Sequence, residues 1–288
     1  MAIRSLEALE KACENKNIYD VILEDDCMER GVTREESEKK MANLYAAIQH
    51  SAQNYTPTLR SASGMAGGDG AKMRSYVKAG KTICGEELGQ VIAQALEMGE
   101  NNACMKCIVA APTAGSCGVL PAVLLPYQAR EGLDDNTMVR AMYVAGAIGQ
   151  VVAAKASIAG AAGGCQAEIG TASAMGAAAL CYLGGGDAQA VCHAAAIAIK
   201  SMLGLVCDPI AGLVEVPCVK RNAAGAMIAM SSADMALAGI RSAVPPDEVI
   251  LAMREVGDKM DVSLKETGVG GVAGTPFGQK IAEKMEMG

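Results

Sequence analysis

The stretch AMYVAGAIGQVVAAKASIAGAAGG, which opens at Ala141, constrains the fold more than any other. It is apolar nearly throughout, its side chains are mostly small, and no period-two alternation runs through it. Such a segment reads as a helix covered on all sides. Gln150, Lys155 and the glycines interrupt it, which favours a buried helix over a membrane span. Small side chains let neighbouring backbones approach closely, so its partners should be further tightly packed helices. The whole chain has the same character: 51% of its 288 residues are hydrophobic, 3% are aromatic, and there is one Phe and no Trp. That composition does not suit a β-sandwich rich in aromatics. No strand alternation persists, no 20–50-residue period repeats and no linker divides the chain. The expectation is an all-α fold in a single domain over residues 1–288, with 1–55 as its polar helical N-terminal part.

Local signals place the elements. In residues 33–55, Thr33 with Glu36 three residues later forms a capping box, and Met41, Leu44 and Ile48 follow at helical spacing. Residues 56–84 are rich in Pro, Ser and Gly and read as largely loop. Residues 85–102 return to an amphipathic helix, and another begins between Gly118 and Arg130. Residues 136–160 and 166–182 read as buried helices. Asp187 caps a further helix, and residues 219–240 and 246–260 give two more. The run GVGGVAGTPFG reads as a glycine-rich tail.

A formal net charge of −7 excludes the electrostatic footprint of a nucleic-acid binder and a basic membrane-binding face. No basic segment followed by an apolar one opens the chain, so the cytosol is the expected compartment. There the eleven cysteines should be unpaired, and most should serve as small core hydrophobes. Cys104 and Cys107 form a C-x-x-C pair but lack the second pair of a structural zinc site and the βαβ context of a redox motif, so they read as packing residues. Of two histidines, His193 reads as a hydrogen-bonded core residue and His50 as a weak candidate base.

Four small-residue segments remain: RSASGMAGGDGAKM (60–73), APTAGSCG (111–118), AGAAGGCQAEIG (159–170) and CDPIAGLVEVPC (207–218). Such runs expose backbone N–H groups able to grip a small carboxylate, or else form close helix-packing turns. Cys165, Cys207 and Cys218 sit in them, Cys165 just before a helix, where the macrodipole favours a thiolate. Three thiolates from separate loops can hold an iron–sulfur cluster with one iron open, although their spacing is no cluster motif.

At SASGMAGGDGAKM, APTAGSCGVLPAV, GAAGGCQAEIGTASAM and LGLVCDPIAGLVEVPCVKRNA the chain resembles the α subunit of bacterial iron–sulfur-dependent L-serine dehydratases, from about Thr56 to Gly278. The resemblance implies an all-helical domain in which Cys165, Cys207 and Cys218 ligate a [4Fe–4S] cluster. It implies deamination of L-serine to pyruvate and ammonia without pyridoxal phosphate, the open iron taking the substrate hydroxyl while a base removes the α-proton. Ser61, Ser63 and Gly64, with the turn Thr113-Ala114-Gly115-Ser116, are candidates to hold the substrate carboxylate, Ser116 also as a catalytic group. Lys72 is a candidate base if burial lowers its pKa. Single-chain family members carry an extra domain that is missing here, so a separate β subunit is the expected partner, in a hetero-oligomer or with a homodimer of the α chain. The C-terminal cysteine of some members is also missing; the chain ends KMEMG. Rival readings are a cysteine desulfidase using Cys13 or Cys27, and a non-catalytic helical subunit.

Overall fold

A computed structural model describes residues 3–287. Ser5 caps α1 (Leu6–Ala12), Asn17 caps α2 (Ile18–Arg30), and Thr33 caps α3 (Arg34–Gln53). The capping box forms: the Thr33 hydroxyl accepts the Glu36 N–H at 3.2 Å, and the Glu36 carboxylate accepts the Thr33 N–H at 2.9 Å. The inward stripe of α3 runs through Tyr45 and Ile48, while Leu44 is exposed. The larger Tyr45 side chain takes the core position, where its hydroxyl donates to Gln128 at 2.6 Å.

Residues 56–84 are less irregular than their composition suggests, because they contain α4 (Asp69–Lys78). Its N-terminus has no side-chain cap of its own. Glu100 supplies one from α5 (Gly85–Ala103), accepting the Asp69 N–H at 2.6 Å, and Arg74 on α4 pairs with the buried Glu97 on α5 at 2.7 Å. Both ties join residues far apart in sequence, so no local pattern announces the helix.

There follow α6 (Val119–Glu131), α7 (Asp135–Lys155) and the single turn α8 (Gly160–Gly163). A π-helical turn, Gln166–Gly170, then runs directly into α9 (Thr171–Leu183). Asp187 caps α10 (Ala188–Met202), and α11 (Cys218–Leu237) and α12 (Pro246–Lys259) complete the bundle. Helix α9 is the hub. Every residue from Thr171 to Cys181 is buried, and the helix packs on α6, α7, α10 and α11. Alanine and glycine dominate this contact, so backbone approach rather than large side chains fills the interior. Helix α7 is long and apolar enough to cross a membrane, with mean hydropathy 1.3, but 67% of that window is buried against the protein itself.

The glycine-rich run near the end is no free tail. The Cys207 N–H donates to Leu264 O at 2.8 Å, and the Glu266 N–H donates to Cys207 O at 2.7 Å. This bridge between Cys207 and Lys265 is the nearest approach to a sheet among the described residues. Asp208 accepts the Val272 N–H at 2.7 Å, and α13 (Pro276–Glu286) packs on the turn Ile210–Gly212. The C-terminal segment is therefore a strap over the second cysteine loop, held by contacts that composition does not encode.

Candidate active site

Cys165 lies just before the π-helical turn and Cys207 follows α10. Their sulfurs and a carboxylate oxygen of Glu168 lie within 4.8 Å of one another, all buried. Glu168 stands three residues after Cys165, on the same face of the turn, with its Oε2 3.7 Å from Cys207 Sγ. Cys218 lies outside this tight group but close enough for the charges of Cys165 and Glu168 to act on its thiol. It is the first residue of the twenty-residue α11, where the helix N-terminus favours a thiolate.

Electrostatics separates Cys165 from the other buried cysteines. A hydrogen bond from Cys207 holds the Cys165 thiol below its ordinary value against the cost of burial, and the Arg221 charge adds to that. The Cys207 thiol is pushed up by the same bond and by burial. Burial pushes Cys218 up to about 12, with the neighbouring acidic groups adding to it. Burial raises Cys117, directly after the Thr113–Ser116 turn, to about 12. It also raises Cys181 to about 11, the expected behaviour of an inert core thiol. Burial likewise raises the Glu168 carboxyl, opposed by the Thr113 hydroxyl and reinforced by Glu266.

Three side chains tie the four loops together. Glu215, buried within CDPIAGLVEVPC, accepts the hydroxyls of both Ser61 and Ser63 on one carboxylate oxygen, the former at 2.5 Å. Asn222 on α11 accepts the Gly118 N–H at 2.8 Å and donates to Gly115 O at 2.8 Å and Cys218 O at 2.9 Å. Glu168 joins the Thr113 turn to Cys207. In that turn the N–H groups of Ala114, Gly115 and Ser116 have no hydrogen-bond partner among the described residues. Three successive donors of this kind suit a carboxylate.

Several sequence-based roles change. Lys72 is not buried: its side chain is 77% exposed, with Nζ 2.8 Å from Asp69, so it lacks the environment a lysine base requires. The Ser116 hydroxyl is fully buried and closes its own turn, accepting the Thr113 N–H at 3.3 Å, so its role is structural. Ser61 and Ser63 have one hydroxyl proton each, and Glu215 takes both; neither is a free donor for a substrate carboxylate. Gly64 lies beside them, exposed, at φ +78°. Cys104 ends α5 partly buried, and Cys107 is exposed rather than packed. His193 accepts the Ser242 N–H at 3.1 Å, so it is hydrogen-bonded as expected, but it is only half-buried rather than a core residue, and His50 is exposed. Cys13 and Cys27 pack against the main core, whereas Cys165 and Cys207 belong to a separate cluster with Val119, Ile169, Ala172 and Met202. Glu168, Glu215, Arg221 and Asn222 escaped the sequence reading. The one signal available was an acid set in an apolar, small-residue run, in QAEIG and in GLVEVPC.

The donor set fits an iron–sulfur centre. Soft thiol donors are gathered with a carboxylate beside them. The Gly160 backbone packs directly against this group: a Cβ there would lie 2.8 Å from Cys207 Sγ and 2.7 Å from Glu168 Oε2, so only glycine fits beside the sulfur.

Comparison with known proteins identifies the chain's relatives. A family profile described as "Serine dehydratase alpha chain" matches residues 13–273. The "Probable L-serine dehydratase, alpha chain" of Bacillus subtilis (strain 168) is 44% identical over 284 residues, covering 98% of this chain and 95% of that protein. The "L-serine dehydratase, alpha chain" of Peptoniphilus asaccharolyticus is 46% identical over 265 residues, 92% of this chain and 91% of the relative. The longer "L-serine dehydratase TdcG" of Escherichia coli (strain K12) is 45% identical over 183 residues, 62% of this chain and 40% of that protein.

Proposed function

The chain belongs to the serine dehydratase alpha chain family, and from that premise we propose that it deaminates L-serine to pyruvate and ammonia as the catalytic chain of a cytoplasmic two-chain enzyme. The observation that carries the reading is the convergence of Cys165, Cys207 and Glu168 within 4.8 Å beneath the Thr113–Ser116 turn. In this reading Cys165, Cys207 and Cys218 hold a [4Fe–4S] cluster. Bound there, the cluster supplies a Lewis acid for the departing hydroxyl, with no need for pyridoxal phosphate.

The remaining work falls to the chain's own groups. The consecutive N–H donors of Ala114, Gly115 and Ser116 receive the substrate carboxylate, and Thr113 orients Glu168. Glu168 takes the α-proton. A carboxylate in a dry site has the raised proton affinity that this weakly acidic C–H requires. Glu215 holds Ser61 and Ser63, with Gly64 beside them, against the loop that carries Cys207 and Cys218. The names of the α-chain relatives and the greater length of the Escherichia coli relative support a second, β chain as partner.

The test is anaerobic purification with the β chain, followed by iron content, visible absorption and pyruvate release from L-serine. Cys165→Ala, Cys207→Ala and Cys218→Ala should each lose colour and activity together. Glu168→Gln should keep the colour and lose at least about 100-fold in turnover, the scale of a general base. A colourless wild-type protein that still releases pyruvate would remove the cluster from the mechanism.

A further inference from the structure

Arg221 touches the surroundings of all three site cysteines. It stands three residues beyond Cys218 on α11, so both share that helix's first turn. One guanidinium nitrogen donates to Val206 O at 2.7 Å, beside Cys207. Another lies 2.8 Å from Asp208 Oδ1, on the other side of Cys207, as an ion pair rather than an aligned hydrogen bond. The charge of the same group also acts on the Cys165 sulfur. The Arg221 side chain is only 17% exposed and that of Asp208 4%. Glu168 and Glu266 add negative charge around Cys207, and among the groups acting on Cys165, Arg221 is the cation.

A largely covered cation held on both sides of Cys207, by Val206 O and by Asp208, is not explained by helix stability. Arginine suits the task because its planar fork presents five donors at fixed angles, which a lysine ammonium does not. We propose that Arg221 is a positioning residue that draws the Cys207 loop onto the helix opened by Cys218 and compensates the thiolate charge of the site, and so sets how firmly the metal centre is held. The inference rests on the reading of Cys165, Cys207 and Cys218 as its ligands. It is a statement about the surroundings of the ligands, which commonly govern metal retention as strongly as the ligands do.

The test compares wild type, Arg221→Met and Arg221→Lys as the anaerobically reconstituted full complex. It reads iron per chain, the rate of iron release to a chelator, and the midpoint potential of the visible chromophore. Arg221→Met should release iron about 10–100-fold faster, the usual cost of losing an outer partner of a ligand. It should also show a lower midpoint potential, because removing a cation favours the oxidised state. Arg221→Lys keeps the charge and loses the fork, so its potential should stay near wild type while iron still leaves faster. Arg74→Met, which breaks the buried pair with Glu97 on α4 and α5, should release iron at the wild-type rate even if it melts earlier. A wild-type release rate and potential in Arg221→Met overturn the inference and leave the ligand reading intact. If Arg221→Met does not fold, a wild-type release rate in Arg221→Lys overturns it equally. A wild-type protein that binds no iron overturns the ligand reading, and the inference falls with it.

Discussion

His193 shows how burial sets a single residue's chemistry. Burial holds its imidazole below the usual histidine range, helped by the Arg241 and Lys200 charges, while its Nδ1 accepts the Ser242 N–H. The neutral ring is the form the fold uses. A depressed pKa contributes stability above the unfolded value near 6.5, and that stability is lost as pH falls through the lower folded value. Urea midpoints of wild type should therefore fall between pH 7 and about 5 more steeply than those of His193→Asn; parallel profiles would remove His193 from the pH response. At this same scale the cysteines of the site were legible and their polar company was not. Cys165, Cys207 and Cys218 stand in small-residue loops at or near helix starts, a pattern visible along the chain. Glu168, Glu215, Arg221 and Asn222 take their meaning from partners on other loops, so nothing local marks them. Lys72 misled in the opposite sense, because a lysine in a glycine-rich loop gives no sign of whether it is covered.

At the level of elements, the interior is a set of helices close enough to need side chains of one carbon or none. A Cβ on Gly225 of α11 would lie 2.8 Å from Ile169 Cγ2 and 2.9 Å from Ser173 Oγ, inside any ordinary contact. Gly225→Ala should force α11 away from the π-helical turn and α9 at a cost of about 1–3 kcal/mol. The shift would appear as a lower urea midpoint. Because Cys218 opens α11 and Cys165 precedes the π-helical turn, iron content should fall with it; a variant as stable as wild type would show that this contact is slack. The buried helices and their caps at Thr33 and Asp187 were readable because each rests on contacts within a few residues. The π-helical turn and α4 were not. The first differs from an α-helix by one extra residue, and the second is capped by Glu100 from across the molecule.

In the molecule as a whole, the C-terminal strap closes over the loop that carries Cys207, and Asp208 is the joint between them. Asp208→Asn should weaken the bond from the Val272 N–H and release the pairing of Cys207 with Leu264 and Glu266. Hydrogen exchange of those amides should accelerate by about tenfold or more, as local opening becomes easier, while α9 stays protected. Unchanged exchange at Val272 would show that the strap is held by α13 instead. The sequence by itself determined the all-helical architecture, the central buried helices and the loops in which sulfur chemistry is possible, because periodicity, capping and side-chain size act over a few residues. Only the tertiary structure decided that Cys165, Cys207 and Glu168 meet, that Arg221 links the cysteine segments, and that the glycine-rich end straps the site. Those juxtapositions depend on how helices far apart in the chain pack, and a close approach between distant residues leaves no mark in the local order of side chains.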